Sequence, residues 1–262
     1  YAQRAGFGAI GEAMGGLRYV VGDPSTPPSR MGISIGDSLA ATFACVGALA
    51  ALHHRERTGR GQVVDSAIYE AVLAMMESLV TDYDRKGYVR ERTGAILPNV
   101  APSNVYPTSD GLVLIAANQD TVFRRLCEAM GEPALARDER YLTHQARGAR
   151  QAELDERIGR WTATLTTERV LALMEEHGVP AGQIYRAPEM LADPHFAARE
   201  AIVAVPHPQF GTLRMQNAVP KFSETPAGIR SPAPALGEHN ETVYLGLLGM
   251  PRERFDALAA AK

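Results

Sequence analysis

The stretch SIGDSLAATFACVGALAAL, residues 34–52, decides how the first part of the chain folds. Its residues from Leu39 to Leu52 are nearly all apolar, and the charged sequence HHRER, residues 53–57, follows them. An apolar run of this length predicts a fully buried helix and is too short to span a bilayer. We therefore expect a core helix here and no membrane anchor.

A single carboxylate, Asp37, stands at the start of this helix between Gly36 and Ser38. An aspartate just before the first apolar turn is typical of an N-cap, whose oxygen accepts from the free N–H groups of that turn. The same carboxylate can act as a covalent nucleophile, because the helix N-terminus keeps it ionised and neighbouring N–H groups face an oxyanion. Both interpretations stay open at this point.

The composition is that of an ordinary globular protein. Of the 262 residues, 45% are hydrophobic and 22% are charged, which excludes the disordered and fibrous classes. A net charge of −3 offers no basic field for nucleic acid or an anionic membrane, so we expect neither as a partner. Cys45 and Cys127 fall in predicted helices and are expected to be buried thiols of a reducing compartment, the cytoplasm. Nothing at the start of the chain resembles an export signal.

Apolar periodicity and turn signals predict the elements of the first part of the chain. Residues 8–14 read as a short helix, and LRYVVG, residues 17–22, as a short strand. QVVDSA, residues 62–67, predicts a brief strand, and a second long helix is expected from about Ile68 to Lys86.

The rest of the chain predicts a small α+β domain and a C-terminal segment. The Asp110-Gly111 pair between two apolar runs indicates a β-hairpin. Helices are expected at about 119–130, 150–163 and 167–177. A strand pair and a terminal helix from about Glu241 follow.

Two stretches without helical period, rich in glycine or proline, predict linkers. The predicted division of the chain is 1–86, linker 87–104, small α+β domain 105–185, linker 186–206, and C-terminal segment 207–262.

Familiar site motifs say little about function. The sequence has no G-x-x-x-x-G-K-[ST], no H-E-x-x-H and no C-x-x-C. GFGAIG, residues 6–11, has the G-x-G-x-x-G spacing, but no suitable strand precedes it, so we interpret it as a tight helix entry. His53 and His54 are adjacent and therefore lie on different helix faces, so no metal site is expected. The basic RERTGRGQ, residues 55–62, fits either a solvated helix end or a phosphate contact.

Three stretches resemble the class III coenzyme A transferases, a family that also holds formyl-CoA transferase and the α-methylacyl-CoA racemases. They are residues 11–73, APSNVYPTSDG at 101–111, and PALGEHN at 234–240. The most specific parts are the Pro27-Pro28 loop that leads to Gly36-Asp37, the RERTGRGQ turn, and GEH near the C-terminus. The resemblance runs essentially from end to end.

The resemblance implies an α/β fold: a Rossmann-like large domain with a parallel sheet, incomplete in this chain, and a small α+β domain joined to it by two long linkers. Residues 1–86 would carry the nucleophile helix of the large domain, and residues 207–262 would return to it. Two chains would interlock like rings in a homodimer. The resemblance also implies that the N-terminal third of a typical member, with much of its CoA-binding surface, precedes the region matched here.

The resemblance further implies a mechanism in which Asp37 is the nucleophile. It attacks the acyl-CoA donor to give an acyl-aspartyl anhydride, CoA returns to give an aspartyl-CoA thioester, and a carboxylic acid acceptor collects the CoA. Coenzyme A enters as part of the substrate, and no metal or ATP is consumed. Arg4, Phe7, Gly8 and Gly36 are expected to contact the substrate or CoA.

Phe7 and Gly8 bear on the branch of the family. The racemases resembled here have a proton-transferring histidine at the position of Phe7 and an aspartate at that of Gly8, whereas formyl-CoA transferase has tyrosine and glutamate. A phenyl ring cannot transfer a proton. We therefore expect a CoA transferase whose acceptor is a dicarboxylate or another short-chain acid rather than oxalate. The alternatives are a racemase or isomerase of the same fold, and a catalytically inactive CoA-binding fragment.

Overall fold

The computed structural model describes residues 1 and 3–260, which fall into two compact units. The first unit comprises Tyr1–Ile184, and the second begins at Tyr185. The described residues have a mixed α/β fold with two small antiparallel sheets.

The first unit begins with helices alone. They are α1 (Gly8–Met14), α2 (Leu17–Val20), α3 (Ile35–Thr58), α4 (Ile68–Ala74) and α5 (Leu79–Lys86).

Glycines let α1 pack directly on α4. A Cβ atom at Gly11 would lie 2.6 Å from the Ile68 side chain, and one at Gly15 would lie 2.6 Å from Val72 and 2.8 Å from a backbone oxygen. Because these distances are shorter than any carbon contact, only glycine permits this approach. Helix α3 packs on both α1 and α4, so the three helices support one another.

The rest of the first unit is the predicted small α+β region. Its elements are β1 (Ser103–Pro107), β2 (Leu112–Ala116), α6 (Asp120–Ala129), a 3₁₀-helix (Pro133–Arg137), α7 (His144–Ala149), α8 (Gln151–Thr162), α9 (Thr167–Glu176) and β3 (Ala181–Gln183).

The Asp110-Gly111 hairpin is confirmed. Strands β1 and β2 pair antiparallel with Tyr106 opposite Val113, and β3 joins the other edge of β2. Alternate residues of β2 are buried under α6, α8 and α9, as expected for a sheet with one covered face. This core includes Tyr106, Val113, Ile115, Phe123, Leu126, Cys127, Leu154, Ile158, Val170 and Met174.

The second unit contains α10 (Ala187–Ala192), α11 (Pro194–Ala198), β4 (Ile202–His207), β5 (Gly211–Gln216), a π-helix (Thr242–Leu247) and α12 (Arg252–Ala260). The predicted strand pair is the β4–β5 hairpin, with Ile202 opposite Gln216. The predicted terminal helix is two separate segments, because the chain turns at Gly249, which has a positive φ of 61°.

Three local predictions in the first unit are wrong. Residues 17–20 are helical rather than extended, since Gly16 reverses the chain with φ 91° just before them. Residues 62–67 have no regular structure. The helix expected over 68–86 is broken, because α4 ends in a tight turn at Met75 and Glu77 takes a positive φ of 54°.

The prediction that α3 is a buried core helix is also wrong for the residues described. Only Gly36 and Ala40 of this helix are buried, and Cys45 is exposed. Cys127 is buried, as expected. With 24 residues, α3 is long and apolar enough to cross a membrane by length and composition, contrary to our expectation, although core helices of soluble proteins pass the same criterion.

The five-part division of the chain stays a prediction. The same is true of the Rossmann-like sheet, since the strands within residues 1 and 3–260 pair only antiparallel.

Candidate active site

Asp37 lies in the first turn of α3 and is not its N-cap. The helix begins at Ile35 with Ser34 as N-cap residue, so Asp37 is the third helical residue. The first hydrogen bond within the helix runs from the Ser38 N–H to the Ser34 carbonyl oxygen, at 3.1 Å. The N-cap interpretation is therefore wrong, but a carboxylate in the first turn still lies at the positive end of the helix dipole.

Gly8 lies directly against the Asp37 carboxylate. A Cβ atom at Gly8 would be 2.6 Å from Oδ2 and 2.9 Å from Oδ1 of Asp37. The start of α1 and the start of α3 thus meet at this carboxylate, with backbone alone on the α1 side.

The Asp37 carboxylate is exposed. Among residues 1 and 3–260, no side chain forms an ion pair or hydrogen bond with it. Its lone pairs are consequently available to an incoming electrophile, which is the condition for nucleophilic attack by a carboxylate.

Glu12 connects α1 to the same turn of α3. Glu12 is 2% exposed. Its Oε1 accepts a long hydrogen bond of 3.4 Å from the Gly36 N–H, and its Oε2 lies 3.6 Å from the Arg18 guanidinium. A Cβ atom at Gly36 would lie 2.9 Å from the Glu12 Cγ. Gly36 is therefore a close-packing position rather than an open surface.

Glu12 was absent from the residues predicted for the site. The signal that could have found it is an acidic residue in a short helix, Gly8–Met14, whose other members are all apolar or glycine. Such an acid is rarely buried unless it has a partner.

Phe7 is the N-cap residue of α1 and stands beside Gly8, with an extended backbone and a side chain that is 81% exposed. Arg4 is also exposed, and its guanidinium carbon lies 3.8 Å from the centre of the Tyr1 ring. The structure thus brings two pairs of neighbouring residues together. They are Phe7 and Gly8 at the start of α1, and Gly36 and Asp37 in the first turn of α3. It records no contact between the Arg4 and Asp37 side chains within the described part of the chain.

The basic turn after α3 forms a solvated helix end. Helix α3 closes at Gly59, which has a φ of 75° and donates its N–H to the Arg55 carbonyl oxygen. Arg57 and Arg60 are exposed beside it. This agrees with the interpretation of residues 55–62 as a solvated helix end. The two arginines also remain accessible to an anion.

Residues Gly32 to Gly36 also spell G-x-S-x-G, the pattern of a serine nucleophile at a strand-to-helix turn. No strand precedes β1 in the described chain, so the required strand is missing. The Ser34 hydroxyl accepts from Arg30 at 3.5 Å, and no histidine described here bonds it. The geometry does not support a serine hydrolase.

Among residues 1 and 3–260 no group of three or more histidine, cysteine, aspartate or glutamate side chains could hold a metal ion. The described site can supply the chemistry of one exposed carboxylate, that of Asp37, which lies against the backbone at the start of α1.

Comparison with known proteins identifies relatives along the whole chain. The family model of CoA-transferase family III matches residues 1–240. Two relatives from Chloroflexus aurantiacus are named succinyl-CoA–D-citramalate CoA-transferase and succinyl-CoA–L-malate CoA-transferase beta subunit. The first is 57% identical and the second 38%, each over 100% of this chain, which spans 65% and 66% of their lengths.

Among solved structures, the crystal structure of a CAIB/BAIF family protein from Brucella suis superposes with a TM-score of 0.79 and 31% identity. The match covers 94% of this chain and 64% of that one.

Proposed function

The chain belongs to CoA-transferase family III, and from this membership and the exposed Asp37 carboxylate we propose that the protein moves coenzyme A from an acyl-CoA thioester to a carboxylic acid. The observation that carries the proposal is that Asp37 is exposed at the start of α3, with Gly8 beside it and no side-chain partner among the described residues. A carboxylate so placed can reach the carbonyl carbon of a thioester.

The proposed reaction exchanges one thioester for another. An oxygen of Asp37 attacks the donor carbonyl carbon, the C–S bond breaks, and an acyl-aspartyl anhydride and CoA thiolate result. The thiolate then attacks the Asp37 carbonyl carbon, which releases the donor acid and leaves an aspartyl-CoA thioester. The acceptor carboxylate attacks that thioester and regenerates an anhydride and thiolate. Attack of the thiolate on the acceptor carbonyl gives the new acyl-CoA and restores Asp37.

Asp37 in α3 and the residues at the start of α1 have different roles in the proposed reaction. The first-turn position of Asp37 places its carboxylate at the positive end of α3, where a negative charge interacts favourably with the helix dipole. Gly8 lets the Asp37 carboxylate lie directly against the backbone at the start of α1, and Phe7, the residue before it, supplies an exposed apolar ring. We assign Phe7 and Gly8 to substrate or CoA contact, and we keep Arg4, which is exposed nearby in the sequence, as a contact for an anionic group of the substrate. Gly36, for which we also expected such a contact, is buried and packs against Glu12 instead.

The acids we propose are dicarboxylic. The two relatives are named for succinyl-CoA, the thioester of a dicarboxylic acid, and for citramalate or malate, which are dicarboxylic acids. This agrees with the expectation from Phe7 and Gly8 that oxalate is a poor acceptor. We propose succinyl-CoA as donor and a hydroxy-dicarboxylate of the citramalate type as acceptor.

The complete assembly we propose is an interlocked cytoplasmic homodimer built from a Rossmann-like large domain and a small domain, with residues 87–104 and 186–206 as linkers. The exposed apolar side chains along α3, which include Val46 and Leu49, support a covering layer from outside the described residues. Sedimentation of the full-length protein tests the dimer, and a monomer at micromolar concentration contradicts it.

The experiment that tests the mechanism follows oxygen atoms. With succinyl-CoA and citramalate labelled with oxygen-18 in its carboxylates, each turnover should place one labelled oxygen on Asp37. This label should leave in succinate released in later turnovers, because either oxygen of Asp37 can make the next attack. Mass spectrometry of the succinate measures this. Asp37→Asn should abolish both turnover and label transfer. Turnover without label in succinate, or an active Asp37→Asn variant, would exclude Asp37 as the nucleophile.

A further inference from the structure

Glu12 is a buried acid whose two oxygens have different partners. One oxygen accepts from the Gly36 N–H at 3.4 Å, and the other lies 3.6 Å from Arg18, whose side chain is 27% exposed. A glutamate that is only 2% exposed is destabilising unless such partners compensate for its lost hydration. Its retention therefore calls for an explanation beyond packing.

The Gly36 N–H needs an acceptor from outside its own helix. Gly36 is the second residue of α3, and the first four N–H groups of a helix have no intrahelical partner. Because this residue is buried, water cannot easily replace the missing acceptor. The Glu12 carboxylate supplies it.

Gly8 and Glu12 act on neighbouring points of α3. They are four residues apart in α1 and so lie on the same face, one turn apart. Gly8 abuts the Asp37 carboxylate, whereas Glu12 binds the backbone of the residue immediately before Asp37. The position of the first turn of α3 is thereby fixed from one surface of α1.

We infer that Glu12 is a positioning residue for Asp37: its carboxylate, oriented by Arg18, holds the Gly36 N–H and so sets where the Asp37 carboxylate stands. The inference rests on the proposed role of Asp37 as nucleophile. Glu12 itself is buried behind Gly36 and does not touch the substrate.

This role has a kinetic signature. If the first turn of α3 shifts, Asp37 attacks from a poorer angle while the remaining substrate contacts are unchanged, so kcat falls and KM changes little. Misplacement of a reacting group by about 1 Å lowers the rate by up to roughly a hundredfold. A purely structural role for Glu12 would lower the amount of folded enzyme without changing kcat per folded active site.

Two variants of the full-length protein distinguish the effect of the hydrogen-bond acceptor at residue 12 from the effect of side-chain volume. Glu12→Gln keeps an oxygen acceptor for the Gly36 N–H, whereas Glu12→Leu keeps similar volume and removes it. We expect Glu12→Leu to lower kcat for CoA transfer by roughly tenfold to a hundredfold, with Glu12→Gln within about threefold of wild type. The concentration of folded enzyme is measured by circular dichroism. A folded Glu12→Leu variant with wild-type kcat would overturn the inference, as would a Glu12→Gln variant equally impaired.

A second measurement does not depend on turnover. Amide hydrogen exchange, read by NMR with isotope-labelled glycine nitrogen, compares Gly36 with Gly32, which is exposed in the loop before α3. In the wild type, Gly36 should exchange slower than Gly32 by roughly tenfold or more, relative to their intrinsic rates, because its N–H is buried and donates to a side-chain oxygen of Glu12. Glu12→Gln should keep most of this protection.

The exchange result distinguishes failure of the Glu12 inference from failure of the proposed function. If Gly36 exchanges as fast as Gly32 in the wild type, the Glu12 contact is not formed and the inference fails, whether or not Glu12→Leu folds. If Gly36 is protected but Asp37→Asn remains active, the contact exists and the proposed function is what fails.

Discussion

The Asp37 carboxylate occupies the space where a side chain at residue 8 would begin. A Cβ atom on Gly8 would lie 2.6 Å from Asp37 Oδ2 and 3.1 Å from its Cγ. Glycine is therefore what allows the Asp37 carboxylate to lie against residue 8 in this arrangement, and a side chain at this position would require the carboxylate to move.

Gly8→Ala should inactivate the enzyme. The added methyl group must push the Asp37 carboxylate aside, because real Cβ atoms do not approach an oxygen this closely. We expect kcat for CoA transfer to fall by about a hundredfold. Stability should change by no more than about 1 kcal/mol, since alanine favours helix while the exposed carboxylate can rotate away.

Gly6→Ala is the matched control, because no atom lies within 4 Å of the added methyl group at this position two residues earlier. Its turnover should equal that of the wild type. Steady-state kinetics and thermal unfolding of both variants test the prediction. Equal activity of Gly8→Ala and Gly6→Ala would show that the Asp37 carboxylate does not have to remain beside residue 8.

Asp37→Asn should be a nearly silent substitution for folding. As the third residue of α3 rather than its N-cap, Asp37 contributes to stability mainly through the helix dipole. This interaction is worth about 0.3–1 kcal/mol at an exposed site and weakens with salt. We expect urea unfolding to show a loss in that range, smaller at high ionic strength. Asparagine caps a helix about as well as aspartate, so a loss above about 2 kcal/mol would show that the charge of Asp37 makes an interaction beyond the helix dipole.

Local signals in the sequence predicted the small α+β region well. The Asp110-Gly111 turn works because the Thr108 N–H donates to the Gly111 carbonyl oxygen at 2.9 Å and closes the hairpin. Residues that decide such a turn are neighbours in the chain, as are the apolar residues that give α6, α8 and α9 their buried face.

The wrong predictions concern segments whose structure depends on contacts between residues far apart in the sequence. Leu17 to Val20 have strand-forming residues, but Gly16 turns the chain and Arg18 reaches Glu12, so the segment is helical. The apolar pattern of α3 describes how hydrophobic the helix is, whereas its burial depends on which atoms pack against it. For the same reason the sequence pointed to Asp37 but not to Glu12, whose partner Gly36 is 24 residues away.

Arg147→Met should strongly destabilise the first unit. The side chain is fully buried and donates to three carbonyl oxygens, those of Ala101, Tyr141 and Asn118, and it pairs with Asp120 at 2.6 Å. Methionine fills similar space but leaves these acceptors without a donor. We expect a loss of about 3–5 kcal/mol in the free energy of unfolding, because three carbonyl oxygens lose their donor at about 1–3 kcal/mol each. Urea unfolding measures it.

Arg160→Met is the control for this substitution. Arg160 pairs with Glu156 at 3.1 Å, but both side chains are about 70% exposed. An exposed pair of this kind contributes at most about 0.5 kcal/mol. Similar losses for the two variants would mean that the Arg147 hydrogen bonds do not carry the stability of the unit.

The Cys127 thiol should make stability fall in alkali. Burial, with a smaller effect of Glu132, raises the pKa of this thiol from 9.0 to about 12. Between these values the unfolded chain loses the thiol proton while the folded protein retains it. The unfolded state then binds fewer protons, so the free energy of unfolding decreases as pH rises.

Cys127→Ala removes this titration. The variant should be less stable than wild type by about 1 kcal/mol near pH 8, because it loses buried volume. The difference should disappear or change sign near pH 10.5, because only the wild type is penalised there, by about 1.4 kcal/mol for each pH unit above 9.0. Urea unfolding at both pH values measures it. A difference that does not change with pH would show that Cys127 ionises equally in both states.

The remaining prediction separates CoA transfer from racemisation. A racemase exchanges the proton on the carbon beside the thioester, which needs a base on one face of that carbon and an acid on the other. Where α1 and α3 meet, Phe7 is a phenyl ring, Gly8 has no side chain and the Glu12 carboxylate is buried. Of these described residues, Asp37 alone is exposed and can take a proton from the substrate. A transferase has no need of such a pair, because its nucleophile attacks the carbonyl carbon.

We therefore expect no deuterium at the carbon beside the thioester when the full-length protein is incubated with a 2-methylacyl-CoA in deuterium oxide, beyond the rate seen with Asp37→Asn. Mass spectrometry of the recovered thioester measures the exchange. The same preparation should move oxygen-18 from an acceptor acid into the released donor acid, which shows that the enzyme is active. Rapid deuterium uptake without oxygen transfer would contradict the transferase proposal and favour a racemase, since proton exchange would then proceed without the histidine that Phe7 replaces.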